Sequence, residues 1–136
     1  MIFDAEESTQ FEKWRQAAVI AHEVVHIWFG NLLTCNWWND LWLNEGFARY
    51  MQFVGAEHSG EDFGSLQRQV IDTIQLAMDF DVTAAAVPVW SEVVDQVVVL
   101  PTRSAYEKPG ALLRMIQGFL TENTFIRGLQ EYLKAQ

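Results

Sequence analysis

The chain has 136 residues, half of them hydrophobic, and eighteen Asp and Glu outnumber nine Lys and Arg for a net charge of −9. That length and apolar share suffice for one core, while the acidic balance argues against a nucleic-acid partner, because phosphate binding needs a basic face. Cys35 is the only cysteine, which excludes an internal disulfide, and the apolar stretch Ala17 to Phe29 is too short to span a membrane and is interrupted by His22, Glu23 and His26.

Taken in chain order, Thr9 followed by Glu12 has the spacing of a capping box. It predicts a helix opening at Gln10 or Phe11 and running to Phe29, with Gly30 as its stop. Near the end of this helix stands His22-Glu23-Val24-Val25-His26. At 3.6 residues per turn, positions four apart lie one above the other, so the two imidazoles share a face with Glu23 at its edge. Residues Asn31 to Trp38 make a turn, and Asn39 or Asp40 caps a second helix through Val54 that carries Glu45. The eighteen residues between His26 and Glu45 allow an antiparallel second helix to bring the carboxylate back to the histidines.

Two imidazoles and one carboxylate suit a single tetrahedral zinc whose fourth position takes water. Glu23 is then the spare carboxylate, placed to act as general base while zinc lowers the pKa of water to about 7 and polarises a carbonyl. The bland alternative is a pair of satisfied core histidines, since an isolated H-E-x-x-H motif has a real false-positive rate.

A third helix is predicted from Phe63 to Phe80, with Leu66, Val70, Ile74 and Ala77 or Met78 at helical spacing. Pro88 and Pro101 bracket Val97-Val98-Val99-Leu100, which reads as a short strand or a buried extended loop. Helical pattern resumes from Pro109 to Leu120 and again from Thr121 or Thr124 to Lys134, with Phe125, Leu129 and Leu133 on the buried face. Trp37, Trp38 and Trp42 are assigned to core that braces the first two helices. Asn44, next to Glu45, orients a histidine from behind or serves as a cap or surface residue. Cys35 is read as structural. No repeat or low-complexity tract interrupts the chain.

The run from Val19 to Leu32 and the run Trp37-Trp38-Asn39-Asp40-Leu41-Trp42-Leu43-Asn44-Glu45-Gly46-Phe47-Ala48 closely resemble the M1 family of zinc aminopeptidases, gluzincins of the aminopeptidase N kind. Position by position, the resemblance implies His22, His26 and Glu45 as ligands of one zinc ion per chain and Glu23 as catalytic base. Tyr106-Glu107-Lys108-Pro109-Gly110 is similar to the family's Tyr-x-Lys-Gly segment, whose tyrosine donates to the oxyanion of the tetrahedral intermediate, so Tyr106 inherits that role. Pro109 replaces the usual glycine, and Leu100 to Ala105 departs from the family's Phe-Asp-x-Ser pattern.

What the resemblance implies is a mainly α fold, the helical part of a thermolysin-like zincin catalytic domain. The family's Gly-Ala-Met-Glu-Asn segment, which holds the substrate's free amino group, has no counterpart in the sequence, and Ile2-Phe3-Asp4 resembles the stretch that follows it. The expectation is therefore a partial M1 domain over residues 1–136, with zinc-site helices at 10–55 and the oxyanion-tyrosine segment at 100–120, the remainder of the catalytic domain missing. The implied activity is zinc-dependent hydrolysis of N-terminal residues from peptide substrates. Rival readings are a catalytically incompetent truncated or receptor-like M1 homologue, or an endopeptidase.

Overall fold

The structure, a computed structural model, describes residues 8–92 and 103–135. The predicted Val97 to Leu100 strand, the Ile2-Phe3-Asp4 stretch and the first residues of the 100–120 segment lie outside these. The fold is mainly α. Among the described residues there are helices and turns and one isolated bridge, Phe29 with Leu33.

Helix α1 (Gln10–Val25) opens on the predicted capping box: the Glu12 amide donates to Thr9 Oγ1 at 3.2 Å and the Thr9 amide donates back to Glu12 Oε2 at 2.8 Å. Its regular ladder ends at Val25, four residues before the predicted end at Phe29. Past that point the amides of Ile27 and Trp28 bond to carbonyls three residues back, and those of Asn31, Leu32 and Leu33 to carbonyls five residues back. The chain thus keeps turning to Gly30, whose φ of +147° a side chain would not tolerate, but tightens and then widens on the way.

After a 3₁₀ turn at Trp38–Asp40, helix α2 (Leu41–Glu57) runs three residues beyond the predicted Val54. Asp40 holds the cap position, although its side chain makes no capping bond. α2 is the central element, and α1 makes its most extensive contact with it. Two clusters meet on its flanks. Phe47, Ala48 and Tyr50 pack with Val25, Phe29, Leu113 and Phe125, the Phe29 and Phe47 rings stacked at 4.2 Å. Phe53 and Ala56 pack with Trp14 and Ala18 on the other side. Gly55 and Gly46 set how closely the neighbours approach: a Cβ on Gly55 would stand 2.6 Å from the Ala21 Cβ, and one on Gly46 would stand 2.6 Å from the Pro109 Cβ.

The predicted third helix is built from α3 (Ser65–Gln69), a π-helical segment (Val70–Gln75) and α4 (Leu76–Asp81). Its inward face is Ser65, Gln69, Thr73 and Ala77, not the predicted Leu66, Val70 and Ile74. Small and polar side chains fit against α1 and α5: Ser65 Oγ accepts from the Trp14 indole at 3.1 Å, and Gln69 Oε1 accepts from Arg114 Nη1 at 2.6 Å. A second π segment (Arg103–Glu107) leads into α5 (Lys108–Leu120), with Pro109 in its first turn as the proline rule expects. α6 (Glu122–Lys134) follows and buries Phe125, with Leu129 and Leu133 packed against the first cluster.

Candidate metal centre

His22 lies in the last turn of α1, His26 caps it, and the antiparallel α2 returns Glu45 to both. The three predicted residues converge. His22 Nε2 and His26 Nε2 are 3.1 Å apart, and each lies 3.4 Å from Glu45 Oε2. Tetrahedral coordination with bonds of about 2.0–2.1 Å spaces ligand atoms about 3.3 Å from each other, so this triangle has the size that one small divalent ion requires.

The hydrogen bonds behind the triangle set its chemistry. His26 Nδ1 lies 3.0 Å from the Phe29 carbonyl oxygen, which can only accept. In the neutral ring Nδ1 therefore carries the proton, and Nε2 offers its lone pair. His22 Nδ1 is held in the same way by Gln52 Oε1 at 3.2 Å. Two lone pairs and a carboxylate oxygen then point at one another, while Glu45 Oε2 is buried without a hydrogen-bond partner. A cation satisfies all three. Burial by itself would raise the Glu45 carboxyl, but its polar neighbours His22, His26 and Tyr106 outweigh burial and hold the group below its ordinary value.

Glu23 and Tyr106 share one cleft with His22 of this triangle. The cleft, about 490 Å³, runs along α1 from His22 and Glu23 back to Phe11, with Tyr106 on its other wall. Glu23 is exposed. The Tyr106 ring lies parallel to that of His22, at 6.1 Å and 8°. Burial, followed by the Glu45 charge and the hydrogen bond to it, pushes the Tyr106 phenol up to about 12, so it stays a proton-bearing donor at neutral pH.

Other sequence readings fare differently. Trp37 and Trp38 are 44% and 43% exposed, so these two are not the core expected of them. Asn44 donates to Cys35 Sγ at 3.8 Å and not to a histidine. Cys35 is consistent with a structural thiol, since burial and then Asp40 raise it. Gln52 and Arg49 are the side chains that sequence reasoning missed. Burial draws the Arg49 guanidinium below its usual value, with Glu107 and Asp72 opposing. The available signal was their spacing: Glu45, Arg49 and Gln52 fall on one face of α2.

A histidine pair at a helix end, closed by a carboxylate from a second helix and flanked by a free carboxylate and a phenol, has the form of a metallopeptidase centre. The peptidase family M1 domain matches residues 1–136, and the chain belongs to that family. Aminopeptidase N of Mus musculus is 39% identical over 138 residues, covering 98% of this chain and 14% of that protein. Aminopeptidase N of Homo sapiens is 38% identical over 138 residues, and glutamyl aminopeptidase of Bos taurus 36% over 136, with the same shares covered. The chain thus spans about 14% of the length of the curated relatives it matches.

Proposed function

We propose that this chain is the metal-binding part of a zinc aminopeptidase, a partial M1 catalytic domain with its zinc-site helices at 10–55 and its oxyanion-tyrosine segment at 100–120. The observation that carries this reading is the donor triangle, whose edges of 3.1, 3.4 and 3.4 Å suit tetrahedral zinc. His22, His26 and Glu45 would hold the ion. When bound, zinc supplies a Lewis acid that polarises the scissile carbonyl and makes water acidic enough to act near neutral pH.

The chain's own side chains do the rest. Glu23, exposed on the cleft wall, takes the proton from the attacking water and returns it to the departing amine, so one carboxylate serves as base and then as acid. Tyr106, kept protonated, donates to the oxygen that gains charge as the amide carbon becomes tetrahedral. Family membership and the aminopeptidase names of the relatives support cleavage at a peptide's N-terminus.

The test is hydrolysis of an aminoacyl amide by the intact protein, before and after metal removal. Chelation should abolish turnover and zinc should restore it. Glu23→Gln should retain zinc yet lose turnover by about a hundredfold or more, because an amide cannot accept the proton. Turnover within about threefold of the parent would remove Glu23 from the chemistry.

A further inference from the structure

We propose that Arg49 is the positioning residue for Tyr106, tying the turn that carries the tyrosine both to α2 and to the helix beside it. This rests on the reading of Tyr106 given above. Arg49 stands one helical turn after Glu45 on the same face of α2, so the element that delivers the carboxylate also delivers the guanidinium.

Its Nη2 donates to the backbone carbonyl of Asp72, in the π segment Val70–Gln75, and lies 3.6 Å from Glu107 Oε1. Glu107 follows Tyr106 directly and ends the other π segment. Only 18% of the Arg49 side chain and 12% of the Glu107 side chain are exposed, and the guanidinium lies 5.2 Å from the centre of the Phe53 ring. A tie in that setting is poorly screened by water. Gly110 leaves room for the arginine stem, because a Cβ there would stand 3.2 Å from Arg49 Cγ.

The π geometry strengthens the inference. π turns in otherwise α-helical stretches occur often at functional sites, and here two of them pack against each other next to Tyr106. The first offers its carbonyls to arginines: Asp72 to Arg49, and Leu76, just past the segment, to Arg103 Nη1 at 3.2 Å. Arg103 opens the second segment and Glu107 closes it. The five residues that hold Tyr106 are thus fastened at both ends, by Arg103 to Leu76 and by Glu107 to Arg49 of α2.

A planar guanidinium can hold two acceptors in a fixed relation, which an ammonium does poorly. Arg49→Met should release the turn without touching the donor triangle. The first measurement is amide hydrogen exchange on the metal-free intact protein. Protection over residues 103–107 should fall about tenfold or more while α1 keeps its own.

The second is kinetic. Arg49→Met should lower kcat about tenfold with KM within about twofold. Arg49→Lys should recover part of the loss, and neither change should lower kcat further in a Tyr106→Phe background, because Arg49 acts through that hydroxyl. Glu107→Gln serves the same comparison should Arg49→Met fail to fold. Unchanged exchange over 103–107, or an equal loss of kcat in the Tyr106→Phe background, overturns the proposal. Parental kcat in Tyr106→Phe alone would sink the catalytic role of Tyr106 instead, and the exchange measurement decides the Arg49 tie by itself.

Discussion

Gln52 does for His22 what the Phe29 carbonyl does for His26: each accepts from Nδ1 and turns the Nε2 lone pair toward Glu45. Such acceptors behind a ligating imidazole typically contribute ten- to a hundredfold to metal affinity. Gln52→Leu preserves volume in a buried position and removes only the acceptor, so it should weaken metal binding by about that factor. Competition with a chromogenic chelator reads it, and an affinity within about twofold of the parent would show that the contact is incidental. Sequence reasoning offered Asn44 for this task, with a cap or surface role as an equal alternative, because it adjoins Glu45. Successive helical residues point about 100° apart, however, so Asn44 turns away to Cys35, while Gln52, seven residues after Glu45, returns to the same face. No motif marks a glutamine at that distance. The convergence of the two histidines with Glu45 was legible, because metal chemistry restricts both residue type and spacing.

Among the elements, α1 was legible from its capping box and α5 and α6 from their apolar stripes, since each of those signals is local. The face of the third helix was not. Apolar spacing favoured Leu66, Val70 and Ile74, yet the packed face carries Ser65, Gln69 and Thr73, because Trp14 of α1 bonds Ser65, Arg114 of α5 bonds Gln69 and Gly110 of α5 lies against Thr73, which selects small or hydrogen-bonding side chains over large apolar ones. The π segment that resets the register there has no signal of its own in the sequence.

Tyr50 offers a test of the packing of α2 on α6. It is 3% exposed with its ring edge-on to Phe125 at 5.5 Å, and burial, then Glu122, pushes its phenol up to about 12 against the opposing Arg114. A folded value above the unfolded one, about 10, means that the stabilisation is full below pH 10. It is lost as pH climbs toward 12, a change on the order of 2 kcal/mol. Thermal midpoints of the parent should therefore decline more steeply between pH 9 and 11 than those of Tyr50→Phe. Parallel declines would show that the ring is not desolvated as the packing requires.

For the whole molecule, the mainly α architecture and the convergence of its first two helices could be read from spacing alone, whereas the surroundings of the tryptophans could not. Composition counts hydrophobic residues without saying what they face. Trp37 and Trp38 stand about half exposed, as do Val24, Ile27 and Trp28 on and just beyond the second half of α1. No described helix is long and apolar enough to cross a membrane. The part that holds the function together is the meeting of α1 with α2, where Gly55 against Ala21 sets the approach and Glu45, Arg49 and Gln52 share one helical face.

Whether that meeting makes a zinc site is answered most directly by metal analysis of the intact protein after exhaustive dialysis. The parent and Glu23→Gln should each retain one zinc per chain, while His22→Ala, His26→Ala and Glu45→Ala should each lose it, since every one removes a donor from the triangle. A parent that binds no zinc, or three alanine variants that keep it in full, would contradict the account.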